Sequence, residues 1–332
     1  MVINLKRRVK SPEKIKNFMK VRWKSISAFT LIAVLFAILL LLVTYYYRFQ
    51  NHGEKVERCP VEYMLSIGKR SGKASLKGPL SVAVSEGKVY VADSANGEIK
   101  VFTPRGTFLF SFSVTNNGHT VYPVGIVVGP DRNIYVSEIK SQRLMVFDSN
   151  GEYLHDFPKK HKVMIKPLAL AYANKKFYVT DVGDHTVKIF DLSGNFLKKI
   201  GKSGNGIGEF SYPNGIAVDK DGKIYVADSN NGRVQVFNAD GKYEFKIGGR
   251  NASKKILYLP RGIAIDSLHR IHVSDPFAHG VFVFNTEGKY LFSYGQKGKS
   301  GFMTPNGIAV GRENANIYVT DRVNNSVEVW SY

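Results

Sequence analysis

Residues Tyr212 to Gly248 read Y-P-N-G-I-A-V-D-K-D-G-K-I-Y-V-A-D-S-N-N-G-R-V-Q-V-F-N-A-D-G-K-Y-E-F-K-I-G, and four strand-like runs can be marked out in them. Gly215-Ile216-Ala217-Val218 is apolar throughout, as an inner strand covered on both faces would be. Ile224-Tyr225-Val226-Ala227 is nearly so. Residues Arg233 to Phe237 alternate strictly, which predicts a third strand with one wetter face. Asp240-Gly241 supplies the positive φ angles of a hairpin turn, and Tyr243 to Ile247 alternates again.

The same grammar starts at Pro79, Pro123, Pro167, Pro213, Pro260 and Pro305, at spacings of 44 to 47 residues. A period of that length with four short strands per copy indicates propeller blades. The third run ends in Phe102, Phe147, Phe190, Phe237, Phe284 and Trp330, large rings that can pack into a neighbouring blade. The next turn keeps a glycine at Gly106, Gly151, Gly194, Gly241 and Gly288. The last copy stops at Trp330-Ser331-Tyr332, after its third run, while Tyr63 to Gly68 matches Tyr243 to Gly248 and Tyr290 to Gly295 in pattern. The phase predicts an all-β, six-bladed β-propeller over residues 61–332, its last blade completed by strand 61–68, so that no sheet edge stays open.

The signature P-N-G-I-A-V, then G-K-I-Y-V-A-D-S-N-N-G-R-V-Q-V-F, resembles the NHL repeat. The resemblance covers essentially all of residues 61–332 and is tightest in blades four to six. In blades one to three Leu80, Val124 and Leu168 stand where Asn214, Arg261 and Asn306 follow the opening proline. These six residues, a polar arc facing an apolar one, are expected at one mouth of the channel, where a concave surface with apolar walls and a few polar groups makes a ligand site. The acids that end the second run, Asp93, Glu138, Asp181, Asp228, Asp275 and Asp321, are expected near the same mouth. Their regular recurrence reads as a structural acceptor that closes a turn. Candidate binding residues are therefore Asn214, Arg261, Asn306, Glu138, Asp228, Asp275 and Asp321.

Six-bladed relatives of this kind include a peptide-amidating lyase and calcium-dependent lactonases, so the resemblance also implies an alternative: a metal-dependent hydrolase or lyase in the channel mouth, with calcium or zinc as its ion. The lyase would need several histidines converging on zinc, and His119, His185 and His279 are the loop histidines on offer. The lactonase would need an axial set such as Glu138, Asn214, Asn306 and Asp321. Nothing in their spacing demands that they converge, and solvated loop positions account for them better. No cofactor is assigned, and no G-x-S-x-G elbow, phosphate loop or dinucleotide fingerprint occurs.

Upstream of the repeats, Ser25 to Tyr47 forms 23 residues without a charge, long enough for a helix to cross a bilayer. Trp23 precedes it and Tyr45, Tyr46 and Tyr47 end it, as aromatic belts do. The sequence after it makes a poor cleavage site, which favours an uncleaved signal anchor. Residues 1–24 carry nine Lys/Arg against Glu13 alone, so the positive-inside bias places this tail in the cytoplasm and the propeller, beyond a short linker 48–60, on the far side. Of the net charge of +20, about +12 remains outside the tail, which favours anionic partners. Cys59 is the sole cysteine, which excludes an intrachain disulfide and any C-x-x-C site. The sequence thus predicts a single-pass, extracytoplasmic binding module for a protein, a peptide or an anionic envelope polymer, a location that argues against nucleic acid.

Overall fold

The computed structural model describes residues 37–39, 60–69, 71–116, 118–138, 142–158, 163–249, 256–296, 301–311 and 315–332. Contacts divide the chain into Met1–Arg58 and Cys59–Tyr332. The expected tail 1–24, the span 25–47 apart from residues 37–39, and the linker up to residue 59 lie outside the described residues; residues 37–39 are helical. Among the described residues no helix is long and apolar enough to cross a membrane.

Cys59–Tyr332 folds into six four-stranded antiparallel sheets, one per repeat. Blade 4 shows the order: Pro213–Val218, Ile224–Asp228, Arg233–Phe237 and Tyr243–Gly248, each paired with the next. The first strands of all six blades line one axial cavity, so strand order runs from axis to rim. Antiparallel pairing puts the first-to-second and third-to-fourth turns on one face of the disc, here the turn face. The second-to-third loops and the lead-in to each blade lie on the other, the loop face.

The last blade is assembled from both ends of the domain. Glu62–Ile67 pairs antiparallel with Ser326–Ser331, with Tyr63 opposite Trp330 and Ile67 opposite Val327. Trp330 and Tyr63 meet edge-on at 5.5 Å, matching Phe102–Phe108 at 5.7 Å, Phe190–Phe196 at 5.8 Å and Phe284–Tyr290 at 6.0 Å within other blades. The bulge that follows the aromatic in other blades recurs here between Tyr63 and Leu65, so Ile67 is fully buried while Tyr63 and Met64 stay exposed.

The core is a ring of clusters between blades, with no cluster confined to one sheet. Phe237 packs with Ile189 and Tyr178 of blade 3, Phe284 with Val236 and Tyr225 of blade 4, and Trp330 with Val283 of blade 5. Each third-strand ring thus enters the cluster shared with the preceding blade, which makes neighbouring repeats interdependent. The turn after it needs its glycine: Gly151 has φ 91° and Gly241 φ 76°, a region costly for side chains with a Cβ.

The expected wet face of the third strand is corrected by the structure, because Arg233–Phe237 is buried throughout. Its polar residues turn toward the second-strand acid and the lead-in loop. Arg233 Nε donates to Asp228 Oδ2 at 2.7 Å, and Gln235 Nε2 donates to the same oxygen at 3.1 Å and to the Glu209 carbonyl at 2.7 Å. Lys188 reaches Asp181 at 2.6 Å and Lys100 reaches Asp93 at 3.0 Å. Buried charges persist when paired and hydrogen-bonded, and these are both.

A further buried polar cluster joins blades 5 and 6. His272 Nε2 lies 3.1 Å from Asp266 Oδ2 and 2.8 Å from the Tyr332 hydroxyl, and its Nδ1 lies 3.3 Å from the Tyr294 hydroxyl. Arg270 Nε donates to Asp266 at 2.7 Å, and its guanidinium stands 4.0 Å from the centre of the Tyr332 ring. Burial pushes the His272 pKa below its ordinary value, more than the Asp266 carboxylate raises it. Below the ordinary imidazole value of about 6.5 the unfolded chain therefore takes up this proton first, so stability falls as pH drops from there toward the folded pKa. A His272→Gln variant should show a flatter melting-temperature slope between pH 7 and 5 than the unaltered chain. An unchanged slope would assign the acid sensitivity to other groups.

Candidate functional site

Around the axis, each blade's first strand is tied to the blade before it by a hydroxyl. Ser137 Oγ donates to the Leu168 carbonyl at 2.5 Å, Thr180 Oγ1 to that of Asn214 at 3.4 Å and Thr320 Oγ1 to that of Leu80 at 3.2 Å; Ser274 does the same for Asn306. In blades 1 and 4 that position is Ala92 or Ala227, and the serine after the acid takes over. Ser94 Oγ reaches the Pro123 carbonyl at 2.6 Å and Ser229 Oγ the Pro260 carbonyl at 2.5 Å. The glycine of N-G-I-A-V permits this approach, since a Cβ on Gly215 would overlap the Arg261 carbonyl. The backbone of the mouth is thus pinned by neighbours, and its side chains are left to differ.

They differ as the sequence predicts. Leu80, Val124 and Leu168 line one half of an axial cavity of about 140 Å³, and Asn214, Arg261 and Asn306 line the other. Arg261 Nη1 donates to Asn214 Oδ1 at 3.0 Å, while Asn214 Nδ2 donates to Ser229 Oγ at 2.8 Å and to the Tyr212 carbonyl at 3.2 Å. Asn306 Nδ2 donates to the Thr304 carbonyl at 3.0 Å. Arg261 Nε and Thr304 Oγ1 are buried without a partner. Burial lowers the Arg261 pKa, and the neighbouring Arg322 charge lowers it further.

The second-strand acids are placed elsewhere, which corrects the expectation that they share this mouth. Glu138, Asp228, Asp275 and Asp321 are buried and do not line the cavity. The aspartates point toward the lead-in loop of their own blade. Ser211 N donates to Asp228 at 2.7 Å, Tyr258 N to Asp275 at 2.6 Å and Met303 N to Asp321 at 2.7 Å. Asp93 and Asp181 hold Lys77 N and Ile165 N in the same way, at 2.6 and 2.7 Å. Their chemistry is that of acceptors for buried N–H groups.

Nor do the histidines converge. His119 sits in a two-residue hairpin strand. His185 and His279 adopt positive φ, 57° and 52°, at the position Gly97 and Gly232 hold in other blades. His185 Nδ1 accepts from Tyr212 N at 3.0 Å and His279 Nδ1 lies 2.7 Å from the Met303 carbonyl, so each ring fastens its blade to the next lead-in loop. Among the described residues no three His, Cys, Asp or Glu side chains come together as a metal site.

Two further cavities went unread in the sequence. One, of about 420 Å³, opens at the turn-face end of the axis among Val84, Glu86, Val128, Tyr172 and Val310. The other, of about 440 Å³, lies in blade 5 between Tyr258, Phe277, Phe282 and Tyr290. Phe282 occupies the position from which Lys100, Lys188 and Gln235 reach their acids in blades 1, 3 and 4. That break in the repeat was the available signal.

A family model described as NHL repeat matches residues 76–102 and 210–237. Another, described as a 6-bladed beta-propeller, matches residues 159–223 and 263–331. Among curated proteins, Protein brain tumor of Drosophila melanogaster is 29% identical over 115 residues, which covers 32% of this chain and 10% of that protein. E3 ubiquitin-protein ligase NHLRC1 of Rattus norvegicus is 33% identical over 107 residues, 30% of this chain and 25% of that one. The chain therefore spans a quarter or less of the curated relatives it matches. Among solved structures, a streptogramin B lyase superposes with a TM-score of 0.57 at 14% identity, covering 82% of this chain and 97% of that one. A protein of unknown function from Bacteroides thetaiotaomicron gives a TM-score of 0.64 at 14% identity, covering 82% and 75%. At such identity the likeness is one of fold.

Proposed function

Starting from a chain that carries NHL repeats and folds as a six-bladed β-propeller, we propose that it is a membrane-anchored module that binds a protein or peptide at its loop-face mouth, outside the cytoplasm. The observation that carries this reading is the split lining of the axial cavity, polar in blades 4 to 6 and apolar in blades 1 to 3. That split breaks the repeat where the backbone does not require it to break. A module evolved only to stack six blades gains nothing from it, whereas a ligand with one polar and one apolar side does. The hydrolase or lyase alternative would draw its acids from Glu138, Asp228, Asp275 or Asp321, and the three aspartates are engaged with the backbone of their own blades.

Within the propeller, Glu62 begins the outer strand of the last blade at the turn face, and the mouth opens on the loop face. In this reading residues 25–47 anchor the chain and the basic tail lies inside. Protease added to intact cells or spheroplasts should then digest residues 48–332 and spare the N-terminal tail. Protection of the propeller in intact cells, with digestion after lysis, would overturn the extracytoplasmic placement.

A further inference from the structure

The geometry points to a carboxylate as the group this mouth receives: Arg261 binds it beside Asn306, and the apolar substituent that carries it lies against Leu80, Val124 and Leu168. The inference rests on the binding-module reading for the choice of face, and goes beyond it in naming the ligand chemistry.

Three observations support it. The first is uncompensated charge. Among the described residues neither Arg261 nor Arg322 forms an ion pair, although Lys100, Lys188, Arg233 and Arg270 all do. Asp275, an acid whose charge acts on Arg261, is unexposed and accepts from Tyr258 N and Leu259 N at 2.6 and 2.9 Å. The second is unspent hydrogen-bonding capacity. Arg261 lines the cavity, and its Nε is buried without a partner. A buried donor left unmade costs free energy that a ligand acceptor returns. Arg261 is also oriented in advance, because Nη1 is fixed on Asn214 Oδ1, itself held by Ser229. With Nη1 committed, Nη2 is the nitrogen left to meet a carboxylate oxygen, and Nε completes a planar fork once the side chain shifts to expose it.

The third is the other half of the wall. A mouth built for phosphate or sulfate would surround the anion with donors. Here three aliphatic side chains face the guanidinium across about 140 Å³, which suits a planar anion attached to a compact apolar group. Such a group is found at a peptide chain end, or on an Asp or Glu side chain beside an apolar residue, and the two sources share the carboxylate.

The full chain in detergent micelles is titrated with N-acetyl-leucine and with its neutral twin, N-acetyl-leucinamide, by saturation-transfer NMR. The acid should bind at least about tenfold more tightly than the amide, the range expected for charge-assisted hydrogen bonds. Arg261→Met should erase the difference while leaving the melting temperature close to that of the parent. Should that variant misfold, Asn306→Asp, which sets a negative charge beside the guanidinium, should weaken the acid and spare the amide. Equal binding of acid and amide by the parent, or preference for the acid surviving in a folded Arg261→Met chain, would overturn the site. Inorganic phosphate displacing N-acetyl-leucine at equal concentration would remove the role given to the apolar wall. N-acetyl-glutamine α-amide set against N-acetyl-glutamate α-amide reports whether a side-chain carboxylate serves as well as a chain end. All these readings are made on purified protein, so they stand or fall apart from the protease result on orientation.

Discussion

A chain that begins at residue 72 should melt about 10 °C or more below one that begins at residue 56, or precipitate, because it lacks the strand Glu62–Ile67 that completes the last blade. Two losses drive the effect. Ile67 is fully buried in a cluster with Val82, Val89, Phe102, Tyr318, Val327 and Val329, and emptying such a site costs about 2–5 kcal/mol. The second loss is electrostatic. Glu328 is 1% exposed, and its carboxylate is held by Ser66, Lys69 at 2.9 Å and Ser326 at 2.6 Å. Removing residues up to 71 takes away Ser66 and Lys69 together. A buried carboxylate that loses its cation is destabilising by about 3–5 kcal/mol, even though some of that is relieved by water reaching the opened edge. Either loss is a large share of the roughly 5–15 kcal/mol a domain possesses. Glu328→Gln in the shortened chain should restore part of the difference, which a purely hydrophobic account would not. Equal melting temperatures and solubility for the two lengths would mean that the ring does not depend on this strand.

The closing strand was legible because its cues are local: an aromatic, an alternating run, a glycine, in the phase of the other outer strands. The same is true of the six opening prolines, the turn glycines and the third-strand rings. What the sequence did not disclose was direction. Asn214, Arg261 and Asn306 sit on the innermost strand, so an offset from the proline was enough to bring them to the axis. Asp228, Asp275 and Asp321 end the second strand, behind the first, and their carboxylates turn along the blade to the lead-in loop. A period-2 pattern says which residues share a face and not what covers it. Arg233 and Gln235 therefore read as solvent-facing, although the lead-in loop lies over them. The exchange between S/T-D in four blades, with Glu138 standing for Asp in blade 2, and A-D-S in two was visible in the letters. Its meaning, a hydroxyl always available for the next blade's carbonyl, needed the geometry.

Asp181→Ala should cost about 3–5 kcal/mol, and Lys188→Met distinctly less, although the two residues form one buried ion pair at 2.6 Å. The asymmetry follows from what each leaves behind. Asp181 accepts from Ile165 N, Lys166 N and Gly183 N at 2.7, 2.9 and 2.9 Å as well as from Lys188. Without it, three backbone donors lose their acceptor, and an almost wholly buried ammonium keeps only Asp184, at 3.1 Å. Without Lys188, the carboxylate still has its backbone donors, which stabilise a negative charge unaided. The molecule already contains that second case. In blade 5 the corresponding residue is Phe282, and Asp275 is satisfied by the N–H groups of Tyr258, Leu259, Phe277 and Ala278. Burial alone would raise the Asp181 pKa, but Lys188 and the backbone donors outweigh it and hold the carboxylate below its ordinary value. Its stabilisation is thus complete above the unfolded value of about 3.9 and is lost as pH falls through the lower folded value. Urea melts at pH 7 should rank the parent first, then Lys188→Met, then Asp181→Ala, with Asp181→Asn/Lys188→Met above Asp181→Ala. Near pH 2 the gap between parent and Asp181→Ala should narrow. If Lys188→Met proved as damaging as Asp181→Ala, the ammonium and not the backbone would be the principal partner of the acid, and the comparison with blade 5 would fail.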